Sequence, residues 1–173
     1  QRAALNTSRT NAAYIIGPKH LLVSIGYMNS SSTNSGGWRD CARRTWCNNV
    51  FYNALSEDFK SIIKEVKVIA SQGSLGHSDT YTSSDYFFLP AEKEVFGSNS
   101  QANSTAESSL SQWTWFKTSS HRIKSPRSGS ANYWWERSPR SGNSYGFCRV
   151  GNGGSANTAN ASITNGLAPC GCI

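Results

Sequence analysis

Apolar positions along this chain come in short bursts separated by long polar stretches. Tyr14-Ile15-Ile16 and Leu21-Leu22-Val23-Ser24-Ile25 flank Gly17-Pro18 and read as strand fragments on either side of a turn. Asn29 to Gly37, rich in Ser, Asn and Gly, reads as a loop. A helix is expected from about Trp38 to Asn53. A second starts at Ser56 as N-cap, with Glu57 and Asp58 in the first turn, where the helix dipole favours negative charge. Phe59, Ile62, Ile63 and Val66 recur at helical spacing and predict one core-facing stripe, with Lys60, Lys64 and Lys67 outside it. Val66 to Ala70 predicts a strand, Ser71 to Ser84 a polar loop, and Asp85 to Leu89 a buried strand. Pro90 then takes the first position of a short helix over Ala91 to Val95.

Gly97 to Ser108 is a low-complexity loop. Leu110 to Lys117 carries Trp113, Trp115 and Phe116 and predicts a short anchoring helix, and Arg122 to Ser130 is a basic loop. Phe147 to Val150 reads as a strand, Gly151-Asn152-Gly153-Gly154 as a hairpin turn, and Ser155 to Ser162 as the returning strand. Leu167 to Ile173 closes the chain. No internal repeat is present. Short helices and short strands in separate runs predict an α+β class. At 173 residues one domain is expected, with residues 1–36 as an N-terminal arm and first strands, and 37–173 as the body. Loops this long in one domain point to function carried on loops.

Composition sharpens the picture. Aromatic residues are 12% of the chain, Trp supplying 6 of them, which argues for aromatic anchors holding a loop-rich domain and against disorder. The formal charge is +7. Its basic residues, such as Arg39, Arg43, Arg44, Lys60, Lys64, Lys67, Arg122, Lys124 and Arg127, are scattered without a run of five. A soluble cationic surface is therefore expected, not a nucleic-acid partner. No run of 18 apolar residues occurs, so no membrane insertion is expected. The chain begins at Gln1 without Met, which reads as the C-terminal piece of a longer protein.

Candidate chemistry is sparse. Cys41, Cys47, Cys148, Cys170 and Cys172 are odd in number and lack zinc spacing; buried free thiols are the expectation. A Cys41–Cys47 bridge is disfavoured, because helical spacing of six puts the pair on different faces. His20, His77 and His121 sit in no nucleophile motif and make no metal-spaced pair. Glu92 and Glu94 face opposite sides of a short helix and make poor acid–base partners. Glu136 beside Arg137 reads as a buried or half-buried ion pair that fixes the chain's course. Cys170-Gly171-Cys172 is the one candidate reactive pair, and it has no local cation to activate a thiolate. Neither a cofactor nor a metal is expected, and the chain does not read as an enzyme.

The last 36 residues, Ser138 to Ile173, behave differently. They lack Lys, Glu, Gln, Met and Trp, types that fill 24 of the first 137 positions, a rate that would place about six in the tail. Those five types cannot be reached from an Asn codon, AAC or AAT, by changing only its two adenines. Asn, Ser, Thr, Gly, Arg, Tyr, Ala and Ile can. The tail reads as an Asn-rich template with scrambled adenines, hence a surface built to vary and to bind. Its Arg140 to Thr164 stretch has the Tyr, Ser, Gly, Asn and Arg composition of a paratope, and composition alone fits an ordinary hydrophilic β-hairpin region equally well.

Several segments carry a resemblance: Gly37-Trp38-Arg39-Asp40-Cys41, Arg44-Thr45-Trp46-Cys47-Asn48, Asp85-Tyr86-Phe87-Phe88-Leu89, Glu94-Val95-Phe96-Gly97, Trp134-Trp135-Glu136-Arg137-Ser138-Pro139 and Gly166-Leu167-Ala168-Pro169-Cys170. From about Trp38 to Ile173 the chain resembles DUF6273, a family of phage and bacterial domains similar to the C-type-lectin-like fold of the formylglycine-generating enzymes. Several members resemble the variable proteins of diversity-generating retroelements, in which a reverse transcriptase copies a template with adenine errors into the end of the target gene.

The resemblance implies a rigid frame that includes Trp134, Trp135, Arg137, Phe147, Val150, Leu167 and Pro169. It implies variable sites at Arg140, Gly142, Tyr145, Gly146, Arg149, Gly151, Asn152, Ser155, Asn157, Thr158, Asn160, Ser162 and Ile163, within a hypervariable segment at about 138–165. Relatives place an aromatic where Gly171 stands. The expectation is a receptor-binding domain at the tip of a phage tail, or an adhesin on a bacterial surface. It would act on a bacterial cell-surface protein or glycan, as a homo-oligomer such as a trimer. Its rivals are a formylglycine-generating-type oxidase using Cys170 or Cys172, and a static calcium lectin. The variable segment has no Asp or Glu of its own to hold calcium.

Overall fold

The computed structural model describes residues 2–4, 14–75 and 78–173. In chain order the strands are β1 (Arg2–Ala4), β2 (Tyr14–Ile16), β3 (Val23–Gly26), β4 (Val66–Ser71), β5 (Thr80–Asp85), β6 (Phe87–Phe88), β7 (Trp134–Pro139), β8 (Gly146–Val150), β9 (Ala156–Asn160), β10 (Asn165–Leu167) and β11 (Cys170–Cys172). The α-helices are α1 (Gly37–Asp40), α2 (Ala42–Thr45), α3 (Glu57–Ile62) and α4 (Glu92–Phe96), with a π-helical turn over Trp46–Phe51 and 3-10 turns over Thr114–Lys117 and Ser119–Arg122. The class is α+β, as the element pattern predicts. Among the described residues no helix is long and apolar enough to cross a membrane.

One sheet runs β1-β2-β11-β6, a second runs β3-β10-β7-β8-β9, and β4 pairs with β5 alone. The end of the chain is interior to both larger sheets. β11 lies between β2 and β6, and β10 between β3 and β7. Tyr14 and Ile173 exchange backbone hydrogen bonds of 3.1 and 3.0 Å, which extend the β2–β11 pairing. Residues 14–36, assigned to the arm from sequence, supply β2 and β3 to these sheets.

The core is aromatic. Trp38, Trp134, Trp135, Phe88 and Phe147 are fully enclosed, and each of these indoles is anchored by a donated hydrogen bond. Trp38 donates to Asp85 Oδ2 at 2.8 Å, Trp134 to the Arg122 carbonyl at 2.8 Å and Trp135 to the Gly26 carbonyl at 2.6 Å. A buried indole needs such a partner, since an unpaired N–H forfeits its hydration.

Several sequence expectations change. The helix foreseen over Trp38 to Asn53 breaks at Cys41, whose ψ of 147° is extended, and resumes as α2 and the π-turn. Gly37 is obligatory there: it has φ +57°, and a Cβ would lie 1.9 Å from the Ser71 carbonyl oxygen. Ser56 caps α3, accepting from the Phe59 N–H at 3.4 Å. The helix ends at Ile62, however, so the predicted stripe splits: Ile63 and Val66 are buried and Ile62 is exposed. The loop foreseen over Ser71 to Ser84 contains β5, in register with β4 from Val66↔Asp85 to Ser71↔Thr80. Pro90 precedes α4 by two residues, because Ala91 is the N-cap. The aromatic expected at Gly171 has no room: a Cβ there would meet the Phe87 ring at 2.9 Å, so Phe87 fills that space from the neighbouring strand.

Candidate functional site

The tail surface rests on β7, every residue of which is buried. Strand alternation sends Arg137 and Glu136 to opposite sides. Arg137 donates to Glu94 Oε2 at 2.5 Å and to the carbonyls of Leu89 at 2.9 Å and Ile69 at 3.0 Å. The ion pair expected between Glu136 and Arg137 is therefore corrected: the guanidinium pairs with Glu94 from α4. Glu136 is fully buried with no hydrogen-bond partner among the described residues. Burial, with Glu92 and Glu107 adding to it, pushes its carboxyl well above the ordinary range.

Two further buried carboxylates pin the surrounding loops. Glu92 accepts from the Ser100 hydroxyl at 2.8 Å and from the backbone N–H groups of Ser100, Gln101 and Ala102 at 3.2, 3.1 and 2.7 Å. Glu107 accepts from the Ser138 hydroxyl and, at 2.6 Å, from Asn99. Glu92 and Glu94 thus serve as loop and strand anchors. Among the described residues no group of His, Cys, Asp or Glu could hold a metal ion.

A residue outside the tail also shapes its first turn. Asn34, fully buried, donates from its amide to the carbonyls of Gly146 at 2.8 Å and Asn143 at 3.0 Å, while its backbone N–H donates to the Ser144 carbonyl at 2.9 Å. Asn143 Oδ1 accepts from the backbone N–H groups of Tyr145 and Gly146 at 3.1 and 2.9 Å. The turn is rigid before any exposed side chain is chosen.

On this base the candidate positions fall into distinct environments. Gly142, Tyr145, Asn152, Ser155 and Ile163 are exposed, with Tyr145 at 47% and Ile163 at 42% the most prominent apolar groups of the tail. Arg140, Arg149, Asn157, Thr158, Asn160 and Ser162 are half-buried. Gly146 and Gly151 are buried and do not reach the surface. A Cβ on Gly146 would lie 3.1 Å from the Ala159 carbonyl oxygen, and one on Gly151 would lie 2.9 Å from Ser155 Oγ. The β8–β9 register pairs Gly146 with Asn160, Cys148 with Thr158 and Arg149 with Asn157. Thr158 and Asn160 therefore lie on one face of the hairpin, and Arg149 and Asn157 on the other.

Arg149 is already engaged. It donates to Asn157 Oδ1 at 3.0 Å and Asn165 Oδ1 at 2.9 Å, and its guanidinium lies 4.0 Å from the centre of the Tyr133 ring. Partial burial lowers its pKa from the ordinary arginine value. Asn160 Oδ1 accepts from the Ser162 backbone N–H at 3.2 Å, and the hydroxyls of Ser162 and Ser32 lie 3.2 Å apart. β9 is the edge of its sheet.

All five cysteines are buried free thiols, as expected. Burial pushes Cys41 up to about 12 and raises Cys47 and Cys148 well above the ordinary thiol value. The fold supplies one neighbour that sequence spacing lacked: Cys170 shares an aromatic pocket with Lys124. Of the histidines, His121 stacks on Trp115 with ring centres 3.5 Å apart, His20 lies beside it across a cavity, and His77 is outside the described residues.

Comparisons with curated proteins and with solved structures each give no match to this chain. A family comparison does: the model described as "Domain of unknown function (DUF6273)" matches residues 13–173, and the chain belongs to that family.

Proposed function

We propose that this domain recognises a target on a bacterial surface through its carboxy-terminal hairpin and turns, as the host-recognition part of a phage tail protein or as a retroelement-diversified adhesin, on a frame of the C-type-lectin-like kind. One coincidence carries the reading. Within the segment depleted in the five types unreachable from adenine-altered Asn codons, 17 of the 25 residues from 140 to 164 are exposed or half-buried, beside a strand that is fully buried. The residues that fix its shape, Asn34 and Glu94, lie outside the segment. Variation would then change chemistry without changing the base.

Tyr145, Ile163 and Arg140 are the anchors with side chains at or near the surface, whereas Arg149 is spent on internal partners. A rigid base keeps the ordering cost of binding low. The surface of a single domain is small, so several copies acting together as a homo-oligomer would raise avidity. The frame assignment is supported by short helices on small sheets, antiparallel except for the β7–β10 pair, with long loops.

The test randomises the codons of Tyr145, Asn152, Ser155, Thr158 and Ile163 and displays the library against whole bacteria. The expected result is that most clones fold and that selected clones separate by the strain they bind. Clones that fold but bind all strains alike, or none, would overturn the reading. A matching genomic observation is a near-copy of the codons for about Trp134 to Ile173, altered only at adenines, beside a reverse transcriptase gene.

A further inference from the structure

Lys124 is a buried cation without a counter-charge. It is 6% exposed, and its ammonium donates only to the carbonyls of Pro18 at 2.7 Å and Lys19 at 3.4 Å. No carboxylate of a described residue pairs with it, and the undescribed residues contain no Asp or Glu. Burial lowers its pKa. Of the other buried cations, Arg137 has Glu94, and Arg43 donates to the Tyr27 carbonyl with the Tyr27 and Trp46 rings beside it, whereas Lys124 borders a cavity. A buried charge left unneutralised is costly, and it persists where a ligand supplies the missing partner.

The surroundings say what that ligand is. Lys124 forms part of the wall of a cavity of about 380 Å3, with Lys19, His20, Trp115, Ser120 and His121 beside it, a size within the range of small-molecule sites, about 300–1,000 Å3. No acidic side chain lines it. A second, apolar cavity of about 40 Å3 shares Lys124 and Trp115 and adds Trp113, Phe116 and Trp134, whose ring centre lies 5.7 Å from the ammonium. The walls thus offer the ammonium groups of Lys124 and Lys19 for an anion, a hydroxyl for polar ring substituents, and for an apolar ring the Trp115 indole, one face of which His121 already covers. The hairpin turn packs beside this site: a Cβ on Gly154 would lie 3.1 Å from Ile123 Cγ1.

We infer that this cavity binds a carboxylate-bearing sugar, the carboxylate on Lys124 and Lys19 and the ring against Trp115. The inference goes beyond the reading above, since none of these residues belongs to the variable tail, and it stands whether or not the tail varies.

Titration of the full chain with D-glucuronate, D-glucose, acetate and inorganic phosphate, followed by the indole N–H resonance of Trp115 in 15N-labelled protein, tests it. Glucuronate is expected to shift that resonance saturably in the millimolar range, with glucose, acetate and phosphate each at least about tenfold weaker, the loss that follows from removing one charged or polar contact set. Lys124→Met should abolish the shift. If that variant does not fold, the surface pair Lys19→Ala and His20→Ala decides, with weakening of about tenfold expected from the lost charge-assisted contacts. Glucose, acetate or phosphate binding as well as glucuronate, no saturable shift, or glucuronate binding unchanged in the folded variants would each overturn the inference.

Discussion

The two sides of the final sheet's support contrast sharply. Beneath β7, polar groups are enclosed and most are committed: Arg137 to Glu94 and two carbonyls, Glu92 to a loop, Glu107 to Ser138 and Asn99. Over β9 and the turns, small polar side chains stand at or near solvent, and Tyr145 and Ile163 project from them. The first region has little spare chemistry: Glu136 aside, changing one of these groups orphans a buried partner. The second has little else to lose. Tolerance to substitution therefore tracks where hydrogen bonds end and not how polar a residue is.

The sharpest way to break that contrast is Arg137→Met, which leaves Glu94 buried without its cation. A loss of about 3–5 kcal/mol is expected, read as a lower midpoint in urea unfolding; a loss near zero would erase the distinction. Glu92→Ala orphans the N–H groups of residues 100–102 and should cost about 2–3 kcal/mol, with faster amide exchange confined to that loop.

Glu136 offers a pH test. Its folded pKa is raised, so the folded protein holds a proton that the unfolded chain loses first as pH rises. Stability is full below the unfolded value of about 4.3. It falls above that value by up to about 1.4 kcal/mol per pH unit until the folded pKa is passed. Glu136→Gln should remove this slope, so wild-type and variant unfolding curves measured across pH should converge or diverge with pH and not run parallel. Smallest in stability is Tyr145→Ala, expected within about 0.5 kcal/mol, with loss of target binding as its readout.

Much of the fold was legible where local chemistry decides it. Ser56 announces its helix, Gly151 to Gly154 announces the hairpin, and Phe87-Phe88 reads as buried because nothing polar interrupts it. β5 was not legible. Its Thr-Tyr-Thr-Ser-Ser-Asp run has no apolar alternation, and backbone pairing with β4 makes it a strand. The Arg137–Glu94 pair joins residues 43 apart, so adjacency in sequence pointed to Glu136 instead. The Lys124 cavity was hidden for the same reason: its walls meet only because the Leu21 N–H bonds to the Ser125 carbonyl at 3.0 Å. A clue lay in the composition of the Trp115 to Lys124 stretch, which sets one indole among basic residues. The outline of the tail surface was visible in its residue types, but the enclosure of Gly146 and Gly151 needed the packing of Ala159 and Ser155.

The placement of β10 and β11 has a last consequence. They are the last two strands in chain order, and each is an interior member of a sheet. A reading-frame slip or a stop codon anywhere between about 140 and 164 removes both and leaves β2, β3, β6 and β7 without neighbours they require. Chains cut short or shifted out of frame in that stretch would then fail at folding.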